Sequence, residues 1–345
     1  MSAQDQWFYA LSLLSLASCN RAADAIGYSS TISAVGKASW TTALILLKEL
    51  QDSELFVLDV VAVNASITAM ARSNQWQRAL SLLQILRSPK FQLHVASFNA
   101  CISACEANGF WQHAITLLED LCQQKLTPDV ITYCSLISVC EKGRQWRVAC
   151  CFLQLLSSPN VIAFSAAISS AEKALQWTIA LRLLQQMREM RLFNLVAFNA
   201  AISACEKCGE WPQALALLRS MAHLRLRADA ITFSSAISAM ATGEQWAIAV
   251  DLLHSLRLSE ARPNLIIYNA ALCACGAAAQ NAWALRLFGL LQEDSLQPDV
   301  VTYCSTVLAT TLPAMLLQRL ATVQGLSLQE LRETKKRRTL FPQES

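Results

Sequence analysis

The stretch LVAFNAAISACEKCGEWPQALALLRSMAHLRLRAD, at Leu195–Asp229, is one copy of a unit that recurs along almost the whole chain. Its segment FNAAISAC, at Phe198–Cys205, has close counterparts at Phe98–Cys105 and Tyr268–Cys275. Its Trp211 is followed by Ala and Leu residues in a spacing that most other copies share. A fixed period of this size decides the architecture before any local motif is considered.

Eight complete repeats can be aligned, each beginning one residue after an Asp, Asn or His. They are residues 25–59, 60–94, 95–129, 130–160, 161–194, 195–229, 230–264 and 265–299. Residues 1–24 correspond to the second half of a truncated repeat, 300–325 to a partial repeat or cap, and 326–345 to a basic, flexible tail. Repeat positions are counted here from the first residue of each repeat. Units of this kind contact their neighbours and form an elongated array.

Each repeat is predicted to form two helices, because no segment alternates with the period of a strand. Positions 4, 8 and 11 share one side of the first helix, as with Phe198, Ile202 and Cys205, and we expect this side to be buried. The Asp or Asn that closes a repeat lies where it can cap the next helix. We therefore predict an all-α fold, an α-solenoid, in which helix-turn-helix repeats of about 35 residues form a right-handed superhelix.

The tryptophan near the start of each second helix is predicted to be a buried aromatic anchor, Trp146 among them. Trp283 lies two residues later than its counterparts, which predicts a local shift of register in the eighth repeat. In either case the ring would pack between helices and stabilise its own repeat.

The composition excludes several classes of protein. Hydrophobic residues make up 54% of the chain and charged residues 15%, but the apolar segments have the length of buried helices. Of the 13 cysteines, four occupy position 11, where they act as small hydrophobic residues, and the Cys205–Cys208 pair has no second pair at zinc-binding spacing. The four histidines are scattered. We expect no cofactor, no metal site and no enzymatic activity.

The side of the first helix opposite the buried seam carries a second repeating pattern. Position 2 is aliphatic, position 9 is almost always Ser or Thr, and position 13 is basic in five of eight repeats. The aliphatic residues singled out at position 2 are Ile26, Val61, Ile131, Ile162, Val196, Ile231 and Ile266. The basic residues at position 13 are Lys37, Arg72, Lys142, Lys173 and Lys207. A face that is only exposed to solvent would not be expected to repeat this order of residue types. The alternative is that duplication of the repeat copied residues without a function.

The period, a first helix of the form V-x-[TAS]-[YF]-N-x-x-I-S-A, and a closing Pro-Asp or Pro-Asn resemble the pentatricopeptide repeat family over roughly residues 1–310. The tryptophan of the second helix departs from the commonest form of that repeat. The tetratricopeptide pattern fits less well, because its tryptophan lies in the first helix. The array looks like the type without an added catalytic domain.

The resemblance implies sequence-specific binding of single-stranded RNA, with one nucleotide read by positions 5 and last of each repeat. These pairs are Ser29/Asp59, Asn64/His94, Asn99/Asp129, Cys134/Asn160, Ser165/Asn194, Asn199/Asp229, Ser234/Asn264 and Asn269/Asp299. Amide and hydroxyl groups can match the edges of unstacked bases. Position 2 would pack on base faces and position 13 would meet phosphates. The closing Asp or Asn can instead be only a helix cap, or can serve both roles.

The family's approximate code gives an RNA close to GYUNAUAU. Family resemblance also implies a place in RNA processing, stability or editing in a chloroplast or mitochondrion, and RNA-processing proteins recruited to the transcript as further partners. The net charge of +3 is modest for a protein that binds nucleic acid, so the positive field must be local. The alternative function is that of a protein-interaction α-solenoid scaffold of tetratricopeptide-like type, which would hold a peptide in its groove.

Overall fold

The computed structural model describes residue 12 and residues 25–36, 39–52, 60–86, 94–258 and 263–309. Within these residues the secondary structure consists of helices, with no strand. The helices are α1 Ala25–Val35, α2 Trp40–Asp52, α3 Val60–Arg72, α4 Trp76–Leu86, α5 Val95–Glu106, α6 Trp111–Gln123, α7 Val130–Lys142, α8 Trp146–Leu155, α9 Val161–Lys173, α10 Trp177–Glu189, α11 Leu195–Lys207, α12 Trp211–His223, α13 Ala230–Thr242, α14 Trp246–Leu258, α15 Leu265–Ala277, α16 Asn281–Glu293 and α17 Val300–Ala309. Each described repeat is a helix pair, as predicted.

The chain divides into two compact units. The first extends to Ala174 and includes Gln186–Leu192, whereas the second comprises Leu175–Gln185 and continues from Phe193. In the first unit α3 packs against α5, α5 against α7, and α7 against α9. In the second unit α11 packs against α13, α13 against α15, and α15 against α17. Within each unit the first helices of successive repeats therefore form a continuous row, as expected for stacked repeats.

The first helices begin where they do because the closing residue of the preceding repeat caps them. The Asp129 carboxylate accepts a hydrogen bond from the backbone N–H of Thr132 at 2.7 Å, and Asp229 accepts one from Thr232 at 2.8 Å. Asn160 and Asn264 cap α9 and α15 in the same way. His94 makes no side-chain cap. The predicted capping role of the closing Asp and Asn is confirmed, since these side chains satisfy an N–H that the helix leaves unpaired.

The loop between the two helices of a repeat turns at position 15, where the backbone is left-handed. Glycine occupies this position at Gly109 and Gly209, but Arg144 and Glu244 adopt the same conformation with φ of 55° and 57°. The neighbouring Gly143 and Gly243 have negative φ, so their backbone conformation does not require glycine. A Cβ on Gly243 would lie 2.2 Å from Cδ1 of Trp211, and one on Gly143 would lie 2.9 Å from Cδ1 of Trp111. A tryptophan of one repeat therefore lies directly against the loop of the next.

The core lies where positions 4, 8 and 11 meet. Phe98, Ile102 and Cys105 are fully buried, and Phe198, Ile202 and Cys205 are at most 1% exposed. The predicted buried seam is confirmed in these repeats. Burial raises the pKa of Cys105 to about 11 and that of Cys140 to about 12, so these thiols stay protonated and pack as small apolar groups.

The tryptophans at the start of the second helices, including Trp146, are half-buried, in line with the predicted aromatic anchor. The ring opens its helix at the rim of the repeat, where it contacts the next repeat instead of entering the core. Trp40 lies under the guanidinium of Arg78 at 4.4 Å, and the ring centroids of Trp76 and Phe110 are 4.9 Å apart. The predicted shift of register at Trp283 was wrong. Helix α16 begins at position 17, like the other second helices, and only the position of the tryptophan within the helix differs.

The fourth repeat has 31 residues instead of 35, and three of the four missing residues come from its second helix. Helix α8 has 10 residues, whereas the corresponding helices α6, α12 and α16 have 13. The first helix of the following repeat, α9, has its full 13 residues, and Asn160 caps its N-terminus. No helix among the described residues has the length and apolar character needed to cross a bilayer.

Candidate nucleic-acid interface

Aliphatic side chains at position 2 of the first helices are exposed to solvent. Their exposed fractions lie between 57% for Val196 and 65% for Ile162 and Ile266. The other members of the row are Val61, Ile131 and Ile231, and Val301 continues it at 46%. The side chain of Ile26 lies outside the described residues. Burying one such side chain is worth about 1.5–3 kcal/mol, so a regularly spaced row of them favours an apolar ligand surface.

Three of the predicted base-reading pairs are joined by a hydrogen bond between the first helix of a repeat and its closing residue. The side-chain amide of Asn99 donates to Asp129 at 3.1 Å. The amides of Asn199 and Asn269 each donate to their closing aspartate, Asp229 and Asp299, at 3.2 Å. The two residues of each pair are 30 positions apart in sequence, and the stacking of the first helices brings them together. The predicted pairing of position 5 with the closing residue is therefore a direct contact in these repeats.

These clusters have a third member that was not predicted, the threonine at position 3 of the following repeat. Thr132 donates from its hydroxyl to Oδ1 of Asn99 at 2.7 Å. Thr232 and Thr302 make the same bond to Asn199 and Asn269, each at 2.6 Å. All three threonines are fully buried. Position 3 is Thr only after the three Asn/Asp pairs among the eight repeats, and this coincidence is the signal that could have identified it.

The aspartates of these clusters are held in the ionised form. Burial alone would raise the pKa of Asp229, but hydrogen bonds from the backbone and hydroxyl of Thr232 and from the amide of Asn199 outweigh it and lower the pKa. The corresponding threonine and asparagine of the other two clusters lower the pKa of Asp129 and Asp299 in the same way. An ionised carboxylate only accepts hydrogen bonds, so the amide atom that faces it must be the nitrogen. The nitrogen of each asparagine is therefore turned toward its carboxylate.

The remaining pairs are arranged differently. The thiol of Cys134 donates to Oδ1 of Asn160 at 3.6 Å, a weak contact. The hydroxyl of Ser165 donates to the carbonyl of Val161 in its own helix, and Ser165 is 8% exposed. Ser29 is also buried, while Asp59 lies outside the described residues. Ser234 is half-buried, whereas Asn194 and Asn264 cap the next helix.

The pair Asn64/His94 lacks the network altogether. Oδ1 of Asn64 and the hydroxyl of Ser97, which holds position 3 here, are both buried without a hydrogen-bond partner among the described residues. His94 is exposed and leaves the helix without a side-chain cap. A buried polar atom without a partner is unfavourable. An Asn therefore needs both the closing Asp and the following Thr to be fully satisfied.

The cations at position 13 are not all directed to solvent. Arg72, Lys142 and Lys207 are exposed, whereas Lys37 lies outside the described residues. Lys173 is half-buried and its ammonium lies 2.7 Å from the carboxylate of Glu141, at position 12 of the preceding repeat. Lys173 therefore has an acidic partner within the protein, and its contact with a phosphate stays a prediction.

Cysteines and acidic residues form no metal centre in the part of the chain that the structure describes. Cys205 is fully buried, and burial raises its pKa to about 12. Cys208 donates to the backbone carbonyl of Leu175 instead of pairing with it. Cys205 therefore packs as a small apolar residue, as predicted for position 11.

Comparisons with known proteins agree with the repeat geometry. The family model described as the pentatricopeptide repeat domain matches residues 81–143 and 216–278, and a second, described as the PPR repeat, matches residues 196–226. A sequence search among curated proteins gives no match. The helix pairs, the capped junctions and the paired position-5 residues define a helical-repeat protein. Residues 81–143 and 196–278 therefore match repeats of the pentatricopeptide type.

Solved structures support the same fold. The crystal structure of the pentatricopeptide repeat protein PPR10 from maize matches with a TM-score of 0.65 and 23% identity, covering 93% of this chain and 47% of that chain. PPR10 in complex with an 18-nt psaJ RNA element matches with the same TM-score at 17% identity, covering 92% of this chain and 50% of that one. The chain therefore has an α-solenoid fold and spans about half the length of these structures.

Proposed function

We propose that this chain binds single-stranded RNA in a sequence-specific manner, with one nucleotide for each repeat. The observation that carries the proposal is the juxtaposition, on successive first helices, of an exposed aliphatic side chain at position 2 and a polar cluster at position 5. Ile231 is 64% exposed, three residues before the half-buried Ser234. An aliphatic side chain covers the face of an unstacked base, while amide, hydroxyl and carboxylate groups match its edge.

The solved RNA complex of PPR10 supports the proposal, because that protein shares the fold of this chain and is bound there to an 18-nt RNA. The exposed cations Arg72, Lys142 and Lys207 supply positive charge near the first-helix ends. Electrostatic attraction to phosphates is the usual source of sequence-independent affinity. The RNA sequence that the pairs favour is close to GYUNAUAU, and the biological setting we propose is RNA processing, stability or editing in an organelle.

A randomised-RNA selection on the purified chain tests the proposal. We expect enriched sequences that contain U where Asn99, Asn199 and Asn269 are read, in the order given by the repeats. A matched eight-nucleotide RNA should then bind more tightly than a scrambled RNA of the same composition. Equal binding of the two RNAs would contradict the proposal and favour the peptide-binding scaffold.

A further inference from the structure

We propose that the threonine at position 3, represented by Thr132, Thr232 and Thr302, is a specificity-determining residue that makes the preceding asparagine discriminate between uracil and cytosine. The inference rests on the proposed function, since it concerns how the same clusters read a base. The threonine acts through the asparagine and is therefore a positioning residue.

The amide of Asn199 is held at both of its polar atoms. Its nitrogen donates to Asp229 at 3.2 Å, and its oxygen accepts from the Thr232 hydroxyl at 2.6 Å. The same hydroxyl oxygen lies 2.8 Å from Oδ1 of Asp229, but it has one proton to donate. The aspartate already accepts from the backbone N–H of Thr232 and from the amide. The hydroxyl is within hydrogen-bond distance of both acceptors, and its shorter contact, at 2.6 Å, is with the asparagine oxygen.

The hydroxyl oxygen of Thr232 is itself held in position, because it accepts a hydrogen bond from the backbone N–H of Asp229 at 3.2 Å. Thr232 is fully buried, so water does not compete for its proton. The cluster is therefore a closed network in which carboxylate, amide and hydroxyl each have a fixed role. One N–H and one oxygen lone pair of the asparagine remain for a ligand, and the positions of this donor and this acceptor are fixed.

This fixed order distinguishes the two pyrimidines. The pairing edge of uracil reads acceptor, donor, acceptor, so a neighbouring donor and acceptor on an amide can match it in either orientation. The edge of cytosine reads donor, acceptor, acceptor, and an amide can form both bonds in only one orientation. An amide held in one orientation can therefore form both bonds with uracil. It cannot form both bonds with cytosine if it is held in the other of its two orientations, whereas an amide that can rotate can pair with both bases.

The repeat with Asn64 provides a natural contrast. Its closing residue is His94 and its position 3 is Ser97, and neither Oδ1 of Asn64 nor the Ser97 hydroxyl has a hydrogen-bond partner among the described residues. This repeat has no counterpart of the hydrogen bonds from Asn199 to Asp229 and from Thr232 to Asn199. We expect this repeat to accept both pyrimidines, although it carries the same asparagine at position 5.

The test measures the ratio of the affinities for RNAs that differ only by U or C at the nucleotide read by Asn199. Thr232→Val removes the hydroxyl and keeps the shape of the side chain. We expect the U-to-C ratio to fall by about fivefold, the factor that corresponds to one net hydrogen bond. Thr232→Ser should keep the wild-type ratio, because the hydroxyl is retained. Thr116→Val, which removes an exposed hydroxyl bonded to its own helix at His113, is the matched control.

A second variant tests the lock in the opposite direction and does not depend on the folding of Thr232→Val. The double substitution His94→Asp and Ser97→Thr supplies both missing members to Asn64. It should raise the U-to-C ratio at its own nucleotide and leave the ratio at Asn199 unchanged. If folded Thr232→Val keeps the wild-type ratio, or if the double variant fails to raise it, the threonine is only a helix cap and the inference is overturned. A wild-type protein with no preference between matched and scrambled RNA would instead overturn the proposed function.

Discussion

The side-chain amide of Asn199 donates a hydrogen bond to the carboxylate of Asp229, 3.2 Å away and 30 residues later in the chain. Asp229 in turn caps helix α13 through the N–H of Thr232. One carboxylate thus orients a side chain of its own repeat and begins the first helix of the next. The alternatives of cap and partner of position 5 are not exclusive, because the two oxygens of the carboxylate can accept several hydrogen bonds.

Ionisation of these aspartates should make stability depend on pH. Their pKa values are lower in the folded chain than the usual value of roughly 3.9 in an unfolded one. The stabilisation is therefore present above the unfolded value and is lost as the pH falls through the folded value. The variant with Asp129, Asp229 and Asp299 all changed to Asn keeps the caps and loses the charge. Chemical denaturation should show the wild type more stable at neutral pH, with the difference closing below about pH 4. A difference that is constant with pH would contradict this prediction.

The contact between Gly243 and Trp211 predicts a cost for the smallest possible substitution. In Gly243→Ala the new Cβ would lie 2.2 Å from the indole, so ring and loop must move apart. We expect a loss of about 1–3 kcal/mol in the free energy of unfolding. Gly289→Ala is the control, because it lies within α16 with nothing inside 4 Å of its Cβ. It should stabilise by about 0.5–1 kcal/mol. A loss of stability in both variants would show that the indole contact is not the cause.

The half-buried tryptophans should matter less than the core aromatic residues. Trp146 opens α8 at the rim, with the guanidinium of Arg147 5.3 Å from its ring centroid, whereas Phe198 is 1% exposed. We expect Phe198→Ala to cost about 3–5 kcal/mol. Trp146→Ala should cost about 1–2 kcal/mol, within the range of an ordinary substitution. Equal losses in urea denaturation would indicate that the tryptophan is a core residue after all.

The ion pair between Lys173 and Glu141 should reduce the salt dependence of RNA binding. Five phosphate contacts from position 13 would give a log–log slope of about −3.5, and four would give about −2.8. We expect Lys142→Ala to make the slope shallower by about 0.7 and Lys173→Ala to change it less. Glu141→Gln releases Lys173 and should make the slope steeper. Equal effects of the two lysine substitutions would show that the ion pair opens when RNA binds.

Much of the fold follows from periodicity alone. The buried row through Phe98, Ile102 and Cys105, the capping by Asp129 and the exposed aliphatic residues at position 2 were all readable from repeat alignment. These features depend on residues within one helix or at its start. The handedness of the predicted superhelix stays a prediction.

The features that were missed depend on how one repeat meets the next. The sequence does not indicate that the hydroxyl of Thr132 reaches Asn99, or that Lys173 pairs with Glu141, because these contacts join residues more than 30 positions apart. The exposure of the tryptophans has the same origin, since the ring meets a neighbouring loop and not its own core. Local pattern fixes each helix, but side-chain partners are fixed by stacking.

The central claim is that position 5 and the closing residue of a repeat select one base, and a double exchange tests it most directly. Asn199→Ser together with Asp229→Asn converts this pair into the kind found at Ser234/Asn264. Binding is measured to RNAs that carry U or A at the corresponding nucleotide and are otherwise identical. We predict that the wild type prefers U, that the double variant prefers A, and that preferences at all other nucleotides are unchanged. A double variant that still folds and keeps the wild-type preference for U would contradict the account.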